Sequence, residues 1–331
     1  MFNRTGVLVL SALMMFPAGY FAWGGPGHRI VAKIAAKNLS AGARTKLATI
    51  LETNDPGLEA AMATAATWPD DGLNKVATET GDWHFVDVPV TAPFAIGTLC
   101  AADNCVINRI LEMSRRLQKN ESDFKMAALP SKPRPMTSQE LAFLIHFVGD
   151  IHQPLHAANN GDRGGNCDPL ITPILHPPFE TKELHAAWDD DEVRAVLKKE
   201  NATEDSIALQ LFNRFKAGEQ VAPLTPVGWA RESNNLARRD VYDKLMIPHH
   251  DAHPGTCDRA IKKMKETVDV TQQYLDGNVP DVETQLMRAG IRLSNVLNQI
   301  CMGEGCKVVS PTGRGNRSGN NKKGRGRGNG K

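Results

Sequence analysis

The segment Phe143-Leu-Ile-His-Phe-Val-Gly-Asp-Ile-His-Gln-Pro-Leu-His156 combines an apolar run of helical length with polar groups at regular spacing. His146 and Asp150 are four residues apart, so a helix places both on one face, close enough to bind one ion. An imidazole together with a carboxylate suits zinc. Pro154 ends or kinks the helix, which lets His156 serve a second ion. The segment therefore predicts a helix within the apolar core that carries metal ligands.

The same spacing recurs in His185-Ala-Ala-Trp-Asp189. One such pair could equally be a surface ion pair, but two in one chain, the first inside an apolar run, favour a metal site. A buried histidine and aspartate need partners, and a metal ion supplies one. His152 lies on another helical face, and we assign it a packing or supporting role. The histidines of residues 248–253 are interpreted as a surface loop, with incidental metal affinity as the alternative.

Helical periodicity extends over most of residues 23–306. Apolar residues recur at helical spacing between Ile30 and Leu39, and Asp281 is a suitable N-cap for a helix that reaches Ile300. The one strand-like stretch, residues 84–90, is too short to found a sheet. We expect an all-α fold, a single mainly helical domain over residues 23–306 with a short β element near residues 84–90.

The composition is that of a globular protein. Of 331 residues, 41% are hydrophobic and 23% are charged, which excludes collagen-like, fibrous and wholly disordered classes. Residues 307–331 contain eight Lys or Arg and no acid, whereas residues 23–306 contain 30 basic and 37 acidic residues, a net charge of −7. Residues 307–331, rich in Gly, Arg and Asn, are predicted to form a disordered basic tail.

Residues 1–22 are predicted to be a signal peptide. Arg4 precedes an apolar run, residues 7–16, that is too short to span a bilayer, and Ala22 is a small residue suited to the position before a cleaved bond. A retained membrane anchor is the alternative. No later apolar stretch is long enough to span a bilayer, so we expect a secreted or periplasmic protein without stable membrane association.

Cleavage after Ala22 would give Trp23 a free α-amine. The pKa of an α-amine is about 7.7–8.0, so its neutral form binds metal near neutral pH. Residues 24–27, three glycines and one proline, can turn the chain so that this amine and His28 reach one ion.

Six cysteines agree with export, since an even number in an exported chain favours disulfides. Two short loops would use four of them and leave the other two to pair, although other connectivities stay open: Cys100 with Cys105, Cys301 with Cys306 and Cys167 with Cys257. A zinc–thiolate site is the weaker alternative, because the chain has no CxxC pair and its histidines offer better ligands.

Six motifs follow one another along the chain: Trp23 with His28, Trp68-Pro-Asp70, Trp83-His84-Phe85-Val-Asp87, His146-x3-Asp150-x5-His156, Gly164-Gly-Asn166 and Leu184-His185-x2-Trp188-Asp189. In this order they resemble the motifs of the zinc-dependent single-strand nucleases typified by the fungal S-one and P-one enzymes, in the phospholipase C and nuclease superfamily. The resemblance covers residues 23 to about 258. The combination is specific, because nine ligand positions fall into register.

The resemblance implies a mainly helical fold with a cleft for three zinc ions. The first zinc would be held by Asp70, His84, His146 and Asp150, the second by His28, Asp150 and the terminal amine and carbonyl of Trp23, and the third by His156, His185 and Asp189. Asp70 and Asp150 would be the catalytic carboxylates. Two zinc ions that share a water make hydroxide available to attack phosphorus, and the third would stabilise the departing 3′-oxygen, which leaves 5′-phosphate products.

The family's base-stacking aromatic matches Phe85, and its base-edge acceptor matches Asp87. Asn166 would contact the substrate or orient a ligand, with a plain turn as the alternative. Alternation along an extended segment puts Phe85 and Asp87 on one face and His84 on the other. Stacking tolerates any base, and only unpaired bases can stack. We therefore expect a monomeric zinc-dependent endonuclease for single-stranded DNA and RNA with 3′-nucleotidase activity on 3′-mononucleotides. The basic tail would add non-specific nucleic-acid contact.

Some positions depart from the family pattern. Leu73 stands where fungal members carry a basic residue, and Asp190 and Asp191 would add negative charge near the cleft. A zinc phospholipase C is the nearest alternative, although its pattern has a wider Trp-to-His gap and a Glu in the last motif. A non-catalytic zinc-binding protein would have no use for Phe85. A nucleic-acid adhesion protein would act through its tail.

Overall fold

A computed structural model describes residues 23–70, 80–97, 99–100, 104–121, 136–177, 179–250, 257 and 267–307 of the chain. Helices dominate this part of the chain, which confirms the predicted fold class. The described residues form nine helices: α1 (Gly24–Lys37), α2 (Ala41–Ile50), α3 (Leu58–Thr67), α4 (Val106–Lys119), α5 (Met136–Asp150), α6 (Leu184–Ala186, continued by a π-helical stretch Ala187–Asp191 and by Glu192–Lys199), α7 (Glu204–Lys216), α8 (Pro226–Leu236, continued by a π-helical stretch Ala237–Asp243) and α9 (Gln272–Ile300).

The core is built around α1, α5 and α9. Helix α5 is buried on all sides over residues 138–150, which is typical of a central helix rather than an amphipathic surface helix. Helix α1 packs against α3 and α9. A Cβ at Gly290 of α9 would lie 2.5 Å from the Cβ of Ile34 in α1, so glycine permits this close approach. The central position of α5 places His146 and Asp150 inside the protein.

Helix α9 begins earlier than the sequence pattern predicts. Its N-cap is Thr271, whose Oγ1 accepts a hydrogen bond from the backbone N of Tyr274 at 3.2 Å. The helix then continues through Pro280 to Ile300. Asp281 lies inside the helix, where its carboxylate pairs with Arg239 at 2.8 Å. The prediction of Asp281 as the N-cap was therefore wrong, because the helix tolerates the proline before it.

A two-stranded antiparallel sheet lies apart from the predicted β element. Strand β1 (Pro169–His176) pairs with β2 (Phe179–Glu183), with an irregularity between Pro169 and Ile174. Near residues 84–90 the structure has a 3₁₀ turn, Gly81–His84, followed by an extended segment. In this segment Pro89 forms an isolated β-bridge with Asn159. The alternation itself is as predicted, since His84, Val86 and Val88 are buried while Phe85 and Asp87 are half-buried.

Three disulfides tie the chain and agree with the predicted pairing: Cys100–Cys105, Cys167–Cys257 and Cys301–Cys306. Among the described helices, none has the length and apolar character needed to cross a bilayer. Residues 1–22 and 308–331 lie outside the described residues. The signal peptide and the disordered tail therefore stay predictions, as do the domain boundaries at residues 23 and 306.

Candidate active site

The predicted metal ligands of the first two groups come from four chain segments that meet in the fold. A 3₁₀ turn after α3, Trp68–Asp70, supplies Asp70, and the turn Gly81–His84 supplies His84. The last turns of α5 supply His146 and Asp150. His28 lies in the first turns of α1. All of these side chains are buried, so they do not form surface ion pairs.

The first group combines Asp70, His84 and His146, whose ligand atoms all lie within 4.8 Å of one another. Nε2 of His146 lies 3.5 Å from Oδ1 of Asp70 and 3.3 Å from Oδ2 of Asp150. Nδ1 of His84 lies 3.0 Å from the same Asp150 oxygen and 3.7 Å from Oδ1 of Asp70. Four side chains therefore converge as the resemblance implies for one ion.

The second group joins His28 to the first through Asp150. Nε2 of His28 lies 3.2 Å from Oδ1 of Asp150, whereas Oδ2 faces His84 and His146. The rings of His28 and His146 stack with centroids 3.9 Å apart. A Cβ at Gly149 would lie 2.7 Å from Nδ1 of His28, so a glycine is needed where α1 meets α5. One carboxylate thus serves two neighbouring groups.

The third group consists of His156, His185 and Asp189. Nε2 of His156 lies 3.7 Å from Oδ1 of Asp189, and Nε2 of His185 lies 3.4 Å from Oδ2. Asp189 lies in the π-helical stretch of α6, a helix irregularity that is frequent at functional sites. The side-chain amide of Gln153 donates to Oδ1 of Asp189 at 2.7 Å. Sequence reasoning did not identify Gln153 as part of the site.

Backbone carbonyls orient the histidine rings from behind. Nδ1 of His146 lies 2.7 Å from the carbonyl of Ala66, and Nδ1 of His156 lies 2.9 Å from the carbonyl of His84. Nδ1 of His185 lies 2.6 Å from the carbonyl of Gly164. Hydrogen bonds of this kind fix which ring nitrogen carries the proton and leave Nε2 to bind a metal.

The charges of the first two groups depend on one another. Burial opposes ionisation of Asp150, but His146, His28 and His84 outweigh burial and hold the pKa of this carboxyl well below its usual range. Burial also opposes a charge on His146, yet Asp150 and Asp70 raise its pKa to about 9. The pKa of His28 is lowered by burial and by His146. The carboxylates are therefore held ionised, as ligands require.

The donor set fits a bound metal. Within the described residues, buried ligand atoms of these groups lack a regular hydrogen bond: Nδ1 and Nε2 of His28, Oδ1 of Asp70, both carboxylate oxygens of Asp150 and Nε2 of His156. Buried polar atoms without partners are costly and uncommon. Imidazole nitrogens and carboxylate oxygens are the ligands that zinc uses together.

Trp23 directly precedes α1, the helix that carries His28. Its side chain is fully buried, and Trp23 and Gly24 both have positive φ, 40° and 35°. A Cβ at Gly24 would lie 2.1 Å from Oδ1 of Asp190, so the start of α1 packs directly on the end of the last motif. Asp191 is buried and pairs with His176 at 3.4 Å. The Asp191 carboxylate is thus engaged within the fold, which weakens the expectation that it repels a polyanion.

Of the predicted substrate residues, Phe85 directly follows the metal-ligand candidate His84 in the chain. Its carbonyl accepts from the backbone N of Val106 at the start of α4. Asp87 lies two residues further on the same half-exposed face. The side-chain amide of Asn166 donates to the carbonyl of Arg163 at 2.8 Å, so Asn166 stabilises the turn. Leu73 lies outside the described residues.

His152, which was predicted to stand apart from the metal groups, makes its contacts elsewhere in the core. His152 is fully buried, with Nδ1 2.7 Å from the carbonyl of Val148 and Nε2 2.9 Å from Arg292. It packs within the core, as predicted. His249 is exposed and His250 is partly exposed, and both follow the end of α8 at Asp243, whereas His253 lies outside the described residues.

Comparison with known proteins decides between the candidate families. The family model described as S1/P1 Nuclease matches residues 23–302. The chain belongs to the S1/P1 nuclease family. The family match spans the ligand groups, from Trp23 to Asp189, and extends through α9.

Curated relatives of this S1/P1 nuclease family member match along most of its length. "Endonuclease 3" of Arabidopsis thaliana is 26% identical over 298 residues, which covers 89% of this chain and 93% of the relative. "Nuclease P1" of Penicillium citrinum is 25% identical and covers 84% and 97%. "Nuclease S1" of Aspergillus oryzae is 25% identical and covers 85% and 92%. The protein is thus a hydrolase of phosphodiester bonds, with nucleic acids as substrates.

Proposed function

We propose that this S1/P1 family member is a secreted, monomeric, zinc-dependent endonuclease that cleaves single-stranded DNA and RNA to 5′-phosphate products and also acts as a 3′-nucleotidase. The observation that carries the proposal is the convergence of three buried His/Asp groups, two of which share His146 and are both in contact with Asp150. Phe85, which directly follows His84, and Asp87, two residues further on, are both partly exposed.

Three zinc ions are assigned to the three groups. The first is assigned to Asp70, His84, His146 and Asp150, the second to His28, Asp150 and the amine and carbonyl of Trp23, and the third to His156, His185 and Asp189. Zinc in such a site would stabilise negative charge on phosphate and lower the pKa of water to about 7, so that hydroxide is available near neutral pH.

The chain's own groups perform the remaining tasks. Asp150 and Asp70 stay ionised and hold their histidines in orientation, Asp150 across two groups. The carbonyls of Ala66, His84 and Gly164 fix the tautomers of three rings. Gln153 holds the carboxylate of Asp189 through one oxygen. These contacts keep the ligand atoms in place before substrate arrives, so no reorganisation is needed during the reaction.

Selection of single strands is assigned to Phe85 and Asp87. A ring that is half-exposed at the edge of the site can stack on one base of any type. A base inside a duplex is already stacked and paired, so it cannot use this surface. The carboxylate of Asp87 would accept a hydrogen bond from the base edge, and Asn166 would contact the sugar-phosphate chain.

Secretion is proposed from the apolar N-terminal segment and from the three disulfides, since disulfides persist in oxidising compartments. The basic segment 307–331 is proposed to add a non-specific, salt-sensitive contact with nucleic acid. Its first residue is anchored, because the backbone N of Lys307 donates to Oδ1 of Asn120 at 2.6 Å, just beyond α4.

The decisive experiment uses processed protein that begins at Trp23 and is loaded with zinc. Hydrolysis is compared on a single-stranded oligonucleotide, the same sequence as a duplex, a 3′-mononucleotide and phosphatidylcholine, each with and without chelator. We expect chelator-sensitive cleavage of the single strand and release of 5′-phosphate ends, with phosphatidylcholine intact.

Each other outcome has a defined meaning. Cleavage of phosphatidylcholine with intact oligonucleotides would contradict the base-binding role of Phe85 and Asp87 while keeping the metal groups. Cleavage that a chelator does not affect would contradict the metal assignment. A zinc content well below three ions per chain in a fully active protein would contradict the ion count.

A further inference from the structure

A buried tyrosine–aspartate pair lies behind the loop that supports His185. The hydroxyl of Tyr242 donates to Oδ2 of Asp162 at 2.9 Å, and both residues are fully buried. The other carboxylate oxygen of Asp162 accepts from the backbone N of Asn160 at 3.1 Å. Each oxygen of this buried carboxylate therefore has a partner, one from the loop and one from the end of α8.

The loop that Asp162 begins has a tight and restricted path. Gly164 and Gly165 have φ of 61° and 82°, and the backbone N of Cys167 donates to the carbonyl of Asp162 at 3.0 Å. A Cβ at Gly164 would lie 2.5 Å from the carbonyl oxygen of Leu155. A side chain is thus excluded at Gly164, where the turn packs against the backbone of Leu155.

This turn presents one carbonyl to the third ligand group. The oxygen of Gly164 lies 2.6 Å from Nδ1 of His185, and the backbone N of His185 donates to Gly165 at 3.3 Å. With Nδ1 bound there, Nε2 of His185 lies 3.4 Å from Asp189. The ring orientation of His185 therefore depends on where the loop holds Gly164.

We propose that Tyr242 and Asp162 are positioning residues that fix this loop, and through it hold His185 for metal binding. The proposal rests on the proposed function, because it takes the group of His156, His185 and Asp189 as a metal site. Partners that orient a metal-binding histidine from behind typically change metal affinity 10–100-fold when they are removed. Here the orienting group is a carbonyl, and the tyrosine–aspartate pair holds the carbonyl in place.

The Cys167–Cys257 disulfide holds the far end of the same loop. Loss of the Tyr242 hydroxyl removes the contact of Asp162 with α8, and we expect Gly164 to shift while the disulfide and the contacts of Asn160 with Pro248 and His250 still hold the loop. The expected defect is in metal occupancy of one group, with the overall fold retained. A purely structural role of the pair would instead lower stability and leave zinc affinity unchanged.

The test measures zinc content and zinc affinity in Tyr242→Phe and Asp162→Asn, with the processed, zinc-loaded protein as reference. At limiting free zinc, we expect each variant to retain about two ions instead of three, with about 10–100-fold weaker affinity at the site lost. The kcat on a single-stranded oligonucleotide should fall more than KM changes, and saturating zinc should restore kcat. Ser294→Ala is the matched control, since Ser294 Oγ is a buried hydroxyl that donates to a backbone carbonyl of α9 at 2.7 Å.

Failure of this proposal and failure of the proposed function give different results. Unchanged zinc affinity in both variants, beside a wild type that binds three ions, overturns the positioning role alone. A wild type that binds no zinc overturns the proposed function. If Tyr242→Phe unfolds, the test rests on Asp162→Asn, which keeps the side-chain shape. Full zinc affinity in Asp162→Asn overturns the positioning role. Weakened zinc affinity, with kcat restored by excess zinc, supports it.

Discussion

Oδ1 of Asp150 lies 3.2 Å from Nε2 of His28, and its second oxygen faces the two histidines of the neighbouring group. Asp150 ends α5, and His28 lies near the beginning of α1. One carboxylate therefore links two ligand groups that come from different helices. Loss of this side chain should disturb both groups, whereas loss of His28 should disturb one.

Asp150→Ala is expected to abolish turnover and to remove two of three zinc ions. His28→Ala should remove one ion, and His146→Ala should also abolish turnover because its Nε2 faces both Asp70 and Asp150. The measurement is zinc per chain by elemental analysis, together with hydrolysis of a single-stranded oligonucleotide. Retained activity in Asp150→Ala would defeat the bridging assignment.

An extra residue before Trp23 is expected to reduce kcat/KM by about tenfold or more, the loss typical of a damaged metal environment. An amide at this position cannot bind metal as a free amine does, and Trp23 is fully buried, so an extension has to be accommodated next to Gly24 and Asp190. The comparison is between processed protein and protein with a removable extension. Protease removal of the extension is the control, and full activity before removal would refute the role of the amine.

Phe85→Ala is expected to raise KM for oligonucleotides with little change in kcat. Stacking of one base on an aromatic ring contributes about 1–3 kcal/mol, which corresponds to a rise of roughly 5- to 150-fold. A substrate without a base, such as a ribose phosphate, serves as the control and should show no such change. An unchanged KM on oligonucleotides would place base binding elsewhere.

The sequence was informative where function depends on local spacing. The pairs His146–Asp150 and His185–Asp189 are one helical turn apart, so helix geometry alone brings them together. His28 joins Asp150 only because α1 packs across the end of α5, and periodicity does not show this contact. The family resemblance supplied that grouping.

Other features were beyond sequence reasoning for identifiable physical reasons. Pro169 and Pro173 argue against a strand, yet β1 forms there with an irregular register. The π-helical turn around Asp189 adds a local distortion that an i, i+4 pattern does not predict. Gln153 carries no spacing signal, because its contact with Asp189 is made by tertiary packing.

Glu192→Gln is expected to make stability less dependent on pH. Burial raises the pKa of Glu192 well above its ordinary value of 4.5, and Asn278 and Lys244 only partly oppose this. The folded protein therefore holds a proton that the unfolded chain loses above about pH 4.5. This group's contribution is fully present below that pH and is lost as pH rises through the raised pKa.

Urea unfolding of the zinc-loaded protein at pH 5 and pH 8 measures this effect. The stability of Glu192→Gln relative to wild type should be greater at pH 8 than at pH 5. Exposed Glu200→Gln is the control and should show no such difference. An equal effect of Glu192→Gln at both pH values would mean that Glu192 is ionised in the folded protein.

Gly149→Ala tests the packing that brings His28 to Asp150. Alanine is favoured over glycine by about 0.8–1.0 kcal/mol in a helix interior and by less in the last turn, where Gly149 lies, so propensity alone predicts a slightly more stable protein. The new Cβ would lie 2.7 Å from Nδ1 of His28, however, and the ring would have to move away from Asp150. We expect the clash to dominate, with loss of one zinc ion and a fall in kcat. Gly42→Ala in α2, where a Cβ meets nothing within 4 Å, should leave zinc content and activity unchanged. Full zinc content in Gly149→Ala would show that His28 binds metal without its present contact with α5.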